Sequence, residues 1–239
     1  MNKETELIIF DNDGVLVDSE IIWHQFFAAE MTRLGYVMSI EQSLRLLSGV
    51  NHGKSLEDIL KDEFGLSNME IDFSKIGYET EASYPSLLKP VKNIQLILDY
   101  IDSKKIKKCI ASNGDFEYIK RTLDITGLNK YFNDEAIIGI DKKTQRKPAP
   151  YVFLQAANRF SVSPNNCLII EDHVLGIKAA KKAQIKVVGF LGASHAQNDE
   201  HRNWIVNSAP EMIINNSLEL LEFMQEMICE WGGNPPIFN

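Results

Sequence analysis

Cysteine is scarce. The 239 residues hold three, Cys109, Cys167 and Cys229, an odd number with no close spacing. Cys109 and Cys167 sit inside apolar, strand-like runs and read as small buried hydrophobes, so a reducing cytoplasm is the expected compartment. Long apolar runs are missing too. No stretch approaches the about 18 residues of a membrane span, and the run Leu7–Phe10 is too short for a secretory leader and is ended by Asp11. Positive charge is in deficit, with 25 Lys and Arg against 33 Asp and Glu, net −8, pI about 5.2. That balance offers no electrostatic footprint to nucleic acid or to an anionic membrane. An anionic substrate must then be held by a local device. No internal repeat or low-complexity tract interrupts the chain, and nothing marks an exposed apolar patch, so a monomer is expected. What remains is ordinary for a soluble globular protein, 44% hydrophobic and 24% charged, and long enough for one sizeable core or a core with an insertion.

The chain is organised around Leu7–Glu20, LIIFDNDGVLVDSE. Leu7, Ile8, Ile9 and Phe10 form an unbroken apolar run suited to a strand buried on both faces of a parallel sheet. It stops at Asp11-Asn12-Asp13-Gly14, where two carboxylates fall at a strand's carboxyl end, the place where open α/β sheets bind ligands. Asp, Asn and Gly are also plain turn residues. A calcium loop is excluded, because its third ligand and closing Glu would fall on Val15 and Ile22.

From Ser19 to Leu88 the pattern is helical. Ile22, Phe26, Ala29 and Arg33 recur at helical spacing up to Gly35, Ile40–Ser48 and Ser55–Phe64 follow, and a stretch from about Asp72 to Leu88 contains Pro85 as a kink or end. After Pro90 strands and helices alternate. Ile106–Ser112, Ala136–Gly139, Cys167–Ile170, Lys186–Leu191 and Glu211–Ile214 read as strands. Ile94–Ile101, Phe116–Ile125, Tyr151–Arg159, Gly176–Ala183 and Leu218–Ile228 read as helices. Alternation predicts an α/β fold, a doubly wound parallel sheet, with a helical domain at residues 18–88 inserted into a core of residues 1–17 and 89–239.

Four strand ends then converge on one mouth. Asp11 and Asp13 end the first strand. Ser112, Asn113 and Gly114 end the next, offering a hydroxyl and amides at a helix start, an anion site. Lys147 lies in Arg146-Lys147-Pro148-Ala149-Pro150, and Glu171-Asp172 end Cys167–Ile170. Singly, Ser112 is a turn or cap residue, Lys147 a solvated lysine and Glu171-Asp172 a helix start. Together, carboxylates at two strand ends suit a hard divalent cation, with Mg²⁺ expected, beside an anion cradle.

This set, in this order, resembles the haloacid dehalogenase superfamily of phosphohydrolases and phosphomutases, in the branch with a helical cap after the first motif. Phe10–Glu20 matches the first motif, Ser112 the second, Lys147 in Lys-Pro-x-Pro the third, and Glu171-Asp172 with Gly176 the fourth. The resemblance implies that Asp11 is a nucleophile forming an aspartyl-phosphate and Asp13 the general acid and then base. It implies that Ser112 and Lys147 hold phosphoryl oxygens, and that Asp11, the Asp13 carbonyl and Asp172 bind Mg²⁺, with Glu171 direct or one shell out. Asp13 speaks against dehalogenase and phosphonatase members, which lack it. Sugar phosphomutases of this type carry a His ten positions after the second Asp. That position is Trp23, with His24 beside it, turned by about 100° on a helix, which favours a hydrolase. Relatives place Pro-Gly-Val after the cap, where this chain has Pro90-Val91-Lys92-Asn93. The loop Gly49–Lys54 matches one that reaches into the site, so His52 and Lys54 are candidate contacts to a hydroxylated or carboxylated leaving group, the alternative being a solvated loop between helices. The expectation is a Mg²⁺-dependent phosphatase for a small-molecule phosphate ester, a sugar phosphate or sugar-acid phosphate. A phosphomutase and a non-catalytic binding relative are the alternatives.

Overall fold

A computed structural model describes residues 5–48, 56–65, 71–141 and 144–229, and the architecture below is that of these residues. The sheet has six strands in the order β3-β2-β1-β4-β5-β6: β1 Leu7–Phe10, β2 Lys107–Ala111, β3 Ile137–Ile138, β4 Cys167–Glu171, β5 Lys186–Phe190 and β6 Met212–Ile214. Every pairing is parallel. All of β1 and β4 is buried, as continuous apolar runs covered on both faces require. The chain moves from β1 outward to β2 and β3, then returns to lay β4 against the other edge of β1. That reversal opens a crevice at the carboxyl ends of β1 and β4. Asp11 follows β1, and its N–H continues the ladder to the Ile170 carbonyl at 3.0 Å.

Helices α1 Glu20–Arg33, α2 Ile40–Ser48, α3 Leu56–Phe64 and α4 Phe73–Leu87 lie between β1 and α5 Ile94–Ser103. They enclose an apolar cluster of their own around Phe27, Met31, Leu60 and Ile76. The main core surrounds the sheet, with α6 Phe116–Thr126, α7 Tyr151–Arg159, α8 Val174–Ala183, α9 Asp199–Asn207 and α10 Ser217–Cys229. Asp72 caps α4 and Asp115 caps α6, their carboxylates accepting from Lys75 N and Tyr118 N at 2.9 and 2.8 Å.

Three details correct or extend the sequence reading. Pro85 lies inside α4, which continues to Leu87, so it does not end the helix. α9 went unread because its segment, DEHRNWIVN, is too polar for an apolar stripe to show. Its start was signalled by Asn198, whose side chain caps His201 N at 2.8 Å, ahead of Asp199 and Glu200 in the first turn. Finally, Asn93 takes the left-handed conformation, φ 65°, just before α5, a geometry that Asn tolerates better than most residues.

Candidate active site

The turn after β1 builds the centre of the site. Leu16 and Val17 N–H groups both bond the Asn12 carbonyl, and Gly14 N–H bonds the Val17 carbonyl at 2.8 Å. Gly14 adopts φ 76°, and a Cβ there would lie 1.9 Å from Asp172 Oδ2. Glycine therefore serves both a positive φ and a close approach of two strand ends.

Asp11, Glu171 and Asp172 are buried, and one carboxylate oxygen from each lies within 4.8 Å of the other two. Lys147 joins them from the loop before α7. Its Nζ lies 2.7 Å from Asp11 Oδ1 and 2.8 Å from Glu171 Oε2, and 4.7 Å from the centre of the Phe153 ring. Asn113 fixes that loop, accepting Lys147 N–H on Oδ1 at 2.9 Å. The other Glu171 oxygen accepts His173 N–H at 3.1 Å, and a Cβ on Gly176 would collide with this carboxylate. Asp172 Oδ2 lies 2.9 Å from His195 Nε2, its carbonyl faces His201 Nε2 at 2.8 Å, and its Oδ1 has no hydrogen-bond partner among the described residues. Ser112, at the end of β2, is buried with its hydroxyl toward Gly114 N–H at 3.1 Å.

Electrostatics follow from this crowding. Burial, then repulsion from Glu171, pushes Asp11 up to about 7 against the pull of Lys147. Glu171 is likewise pushed up to about 7, by burial and by Asp172. Asp172 is raised well above the carboxylate range by burial and Asp11. Burial alone would lower Lys147, but Asp11 and Glu171 carry it upward, so it stays cationic. The cavity they line is about 200 Å³ and also admits Asp13 and Glu20. Five carboxylates thus face one lysine, a balance that repels phosphate but suits a divalent cation, with the unpartnered Asp172 Oδ1 available to it.

Asp13 is held differently. Its Oδ1 accepts both Ser19 Oγ–H at 2.6 Å and Tyr118 O–H at 2.7 Å. Ser19 precedes α1 but makes no side-chain cap, having spent its hydroxyl on Asp13. Burial and the Asp13 charge raise the Tyr118 hydroxyl far above its usual value, so it remains a donor.

Asp11, Asp13, Ser112, Asn113, Gly114, Lys147, Glu171 and Asp172 all line this cavity. His52 and Lys54 lie outside the described residues. His24 is buried, with Nδ1 2.7 Å from Ser43 Oγ, and Trp23 stacks on Phe27 with centroids 5.1 Å apart. Sequence reasoning missed Ser19, Tyr118, His195 and His201. Only Ser19 had a local signal, its place inside the first motif.

The sequence profile of the family described as haloacid dehalogenase-like hydrolase matches residues 8–190. The chain belongs to this family. Among similar proteins is a phosphorylated carbohydrates phosphatase of Thermotoga maritima, 28% identical, the alignment covering 90% of this chain and 100% of that one. A 6-phosphogluconate phosphatase of Escherichia coli is 26% identical over 80% of this chain and 84% of its own. A solved haloacid dehalogenase-like protein of unknown function from Agrobacterium tumefaciens superposes with a TM-score of 0.79 at 28% identity, covering 93% of this chain and 99% of that one.

Proposed function

We propose that the protein is a Mg²⁺-dependent phosphatase that hydrolyses a small phosphorylated metabolite, a sugar phosphate or sugar-acid phosphate, through an aspartyl-phosphate. The observation that carries this reading is the buried Asp11–Lys147–Glu171 arrangement with Asp172 beside it, five carboxylates in the cavity against one fixed cation. Relatives named as phosphatases of phosphorylated carbohydrates and of 6-phosphogluconate support the substrate class.

Asp11 attacks phosphorus in line. The bond from phosphorus to the ester oxygen breaks, and Asp13 gives its proton to the departing alkoxide. Asp13, now a carboxylate, takes a proton from water. The hydroxide attacks phosphorus, the Asp11–phosphorus bond breaks, and inorganic phosphate leaves. Lys147 keeps Asp11 ionised and, with the Ser112 hydroxyl and the amides of Asn113 and Gly114, receives the phosphoryl oxygens. Asp11, Asp172 and the Asp13 carbonyl would hold Mg²⁺, which supplies positive charge to offset carboxylate–phosphate repulsion. Glu171 has a donor on each oxygen, which favours its role as the anchor of Lys147. Residues 18–88 form the cap over a core of residues 1–17 and 89–239, excluding water while the acyl phosphate exists. The pairing of His24 with Ser43 speaks against His24 serving as the histidine of a mutase.

The test is phosphate release from a panel of sugar phosphates and one aryl phosphate, with Mg²⁺ and with chelator. Metal-dependent release is expected, and Asp11→Asn should abolish it while unfolding at the wild-type temperature. Release that survives chelation, or appreciable turnover by Asp11→Asn, overturns the reading.

A further inference from the structure

The two hydroxyl donors on Asp13 fall on the same oxygen. Ser19 and Tyr118 reach Oδ1 at 2.6 and 2.7 Å. An oxygen of a carboxyl group has two in-plane acceptor positions, so Oδ1 is filled by these donors. Because Tyr118 donates to Asp13, its oxygen must act as acceptor in the 3.2 Å contact with the Tyr84 hydroxyl. The direction of the whole chain is thereby set: Tyr84 donates to Tyr118, and Tyr118 to Asp13.

The surroundings hold this chain in place. Tyr84 is buried on α4 and Tyr118 stands on α6. One turn along the same pair of helices, Arg121 and Glu81 form an ion pair. The Tyr118 ring lies across Gly114, where an added Cβ would come within 2.6 Å of Tyr118 Cδ1. Gly114 therefore makes room for the tyrosine.

We propose that Tyr118, supported by Tyr84, is a positioning residue for proton transfer: with Ser19 it occupies Oδ1 of Asp13, so that Oδ2 is the oxygen that delivers the proton to the leaving group and takes it back from water. This rests on the reading of Asp13 as acid and base. Proton transfer from Oδ1 would require a hydroxyl donor to be displaced first. Loss of the Tyr118 hydroxyl leaves Ser19 alone on Oδ1, frees the carboxyl to rotate and spreads the proton over both oxygens. The cost falls on esters whose leaving oxygen needs a proton.

The experiment compares kcat/KM for benzyl phosphate and 4-nitrophenyl phosphate, esters of similar shape whose leaving groups differ greatly in their need for an acid. kcat/KM reports steps up to departure of the alcohol, so the later attack of water does not enter. General acid catalysis is worth about 100-fold or more, and mispositioning forfeits part of it. Tyr118→Phe should lose about 10-fold on benzyl phosphate and less than about 2-fold on 4-nitrophenyl phosphate. Tyr84→Phe, which keeps the Tyr118–Asp13 bond, should show a smaller loss with the same selectivity. Equal losses on both esters, or no loss on benzyl phosphate, overturn the proposal. Asp13→Asn separates the two levels. If it selectively loses benzyl phosphate while Tyr118→Phe does not, the positioning role fails and the acid–base reading stands. If Asp13→Asn treats both esters alike, the acid–base reading fails and takes the proposal with it.

Discussion

Removing the buried lysine gives the sharpest test of the site's electrostatics. Lys147→Met keeps the length of the side chain and deletes its charge, leaving Asp11 and Glu171 without the partner now 2.7 and 2.8 Å away. Breaking a buried pair costs about 3–5 kcal/mol when the remaining charge has no other compensation. Here it has an escape, since a carboxylate can take a proton. In the metal-free protein Asp11 and Glu171 already sit at about 7, pushed there first by burial. Their folded values lie above the unfolded value near 4, so their contribution to stability is full below that value and lost as pH rises through 7. Taking away the lysine raises them further and extends that loss upward by about 1.4 kcal/mol per pH unit for each proton held. The deficit of Lys147→Met should therefore grow from below about 1 kcal/mol at pH 5 to at most about 3 kcal/mol at pH 8, one pH unit above the two folded values near 7. Urea unfolding of both proteins in chelator at the two pH values measures it. A deficit equal at both, or larger at pH 5, refutes the claim that Lys147 acts chiefly by compensating these carboxylates.

Protons and a divalent cation compete for the same oxygens. Mg²⁺ should thus raise the melting temperature more at pH 8 than at pH 5.5, where Asp11 and Glu171, both at about 7, are largely protonated; equal rises at the two pH values in thermal scans would contradict this. His195 holds Asp172 Oδ2 at 2.9 Å, so His195→Ala should weaken Mg²⁺ binding by about 10-fold or more in calorimetry, and an unchanged Kd would reduce the contact to packing.

Four residues that line the cavity were legible in the sequence because each stands where a buried apolar run stops. Asp11 after Leu7–Phe10, Ser112 after β2, and Glu171-Asp172 at the end of β4 follow from strand pattern alone, since a parallel sheet gathers all carboxyl ends on one edge. The helical stretch before Leu88 was equally plain from its period. The polar helix α9 was not, because its few apolar residues draw no stripe and only the cap at Asn198 announces it. Tertiary structure alone decided which residues serve the carboxylates. Tyr118 reaches Asp13 across 105 positions. His195 meets Asp172 from a short turn after β5. Local pattern reports whether a backbone is helix or strand and which face is apolar. A hydrogen bond between side chains far apart in the chain depends on how the elements pack, and no spacing in the sequence encodes it.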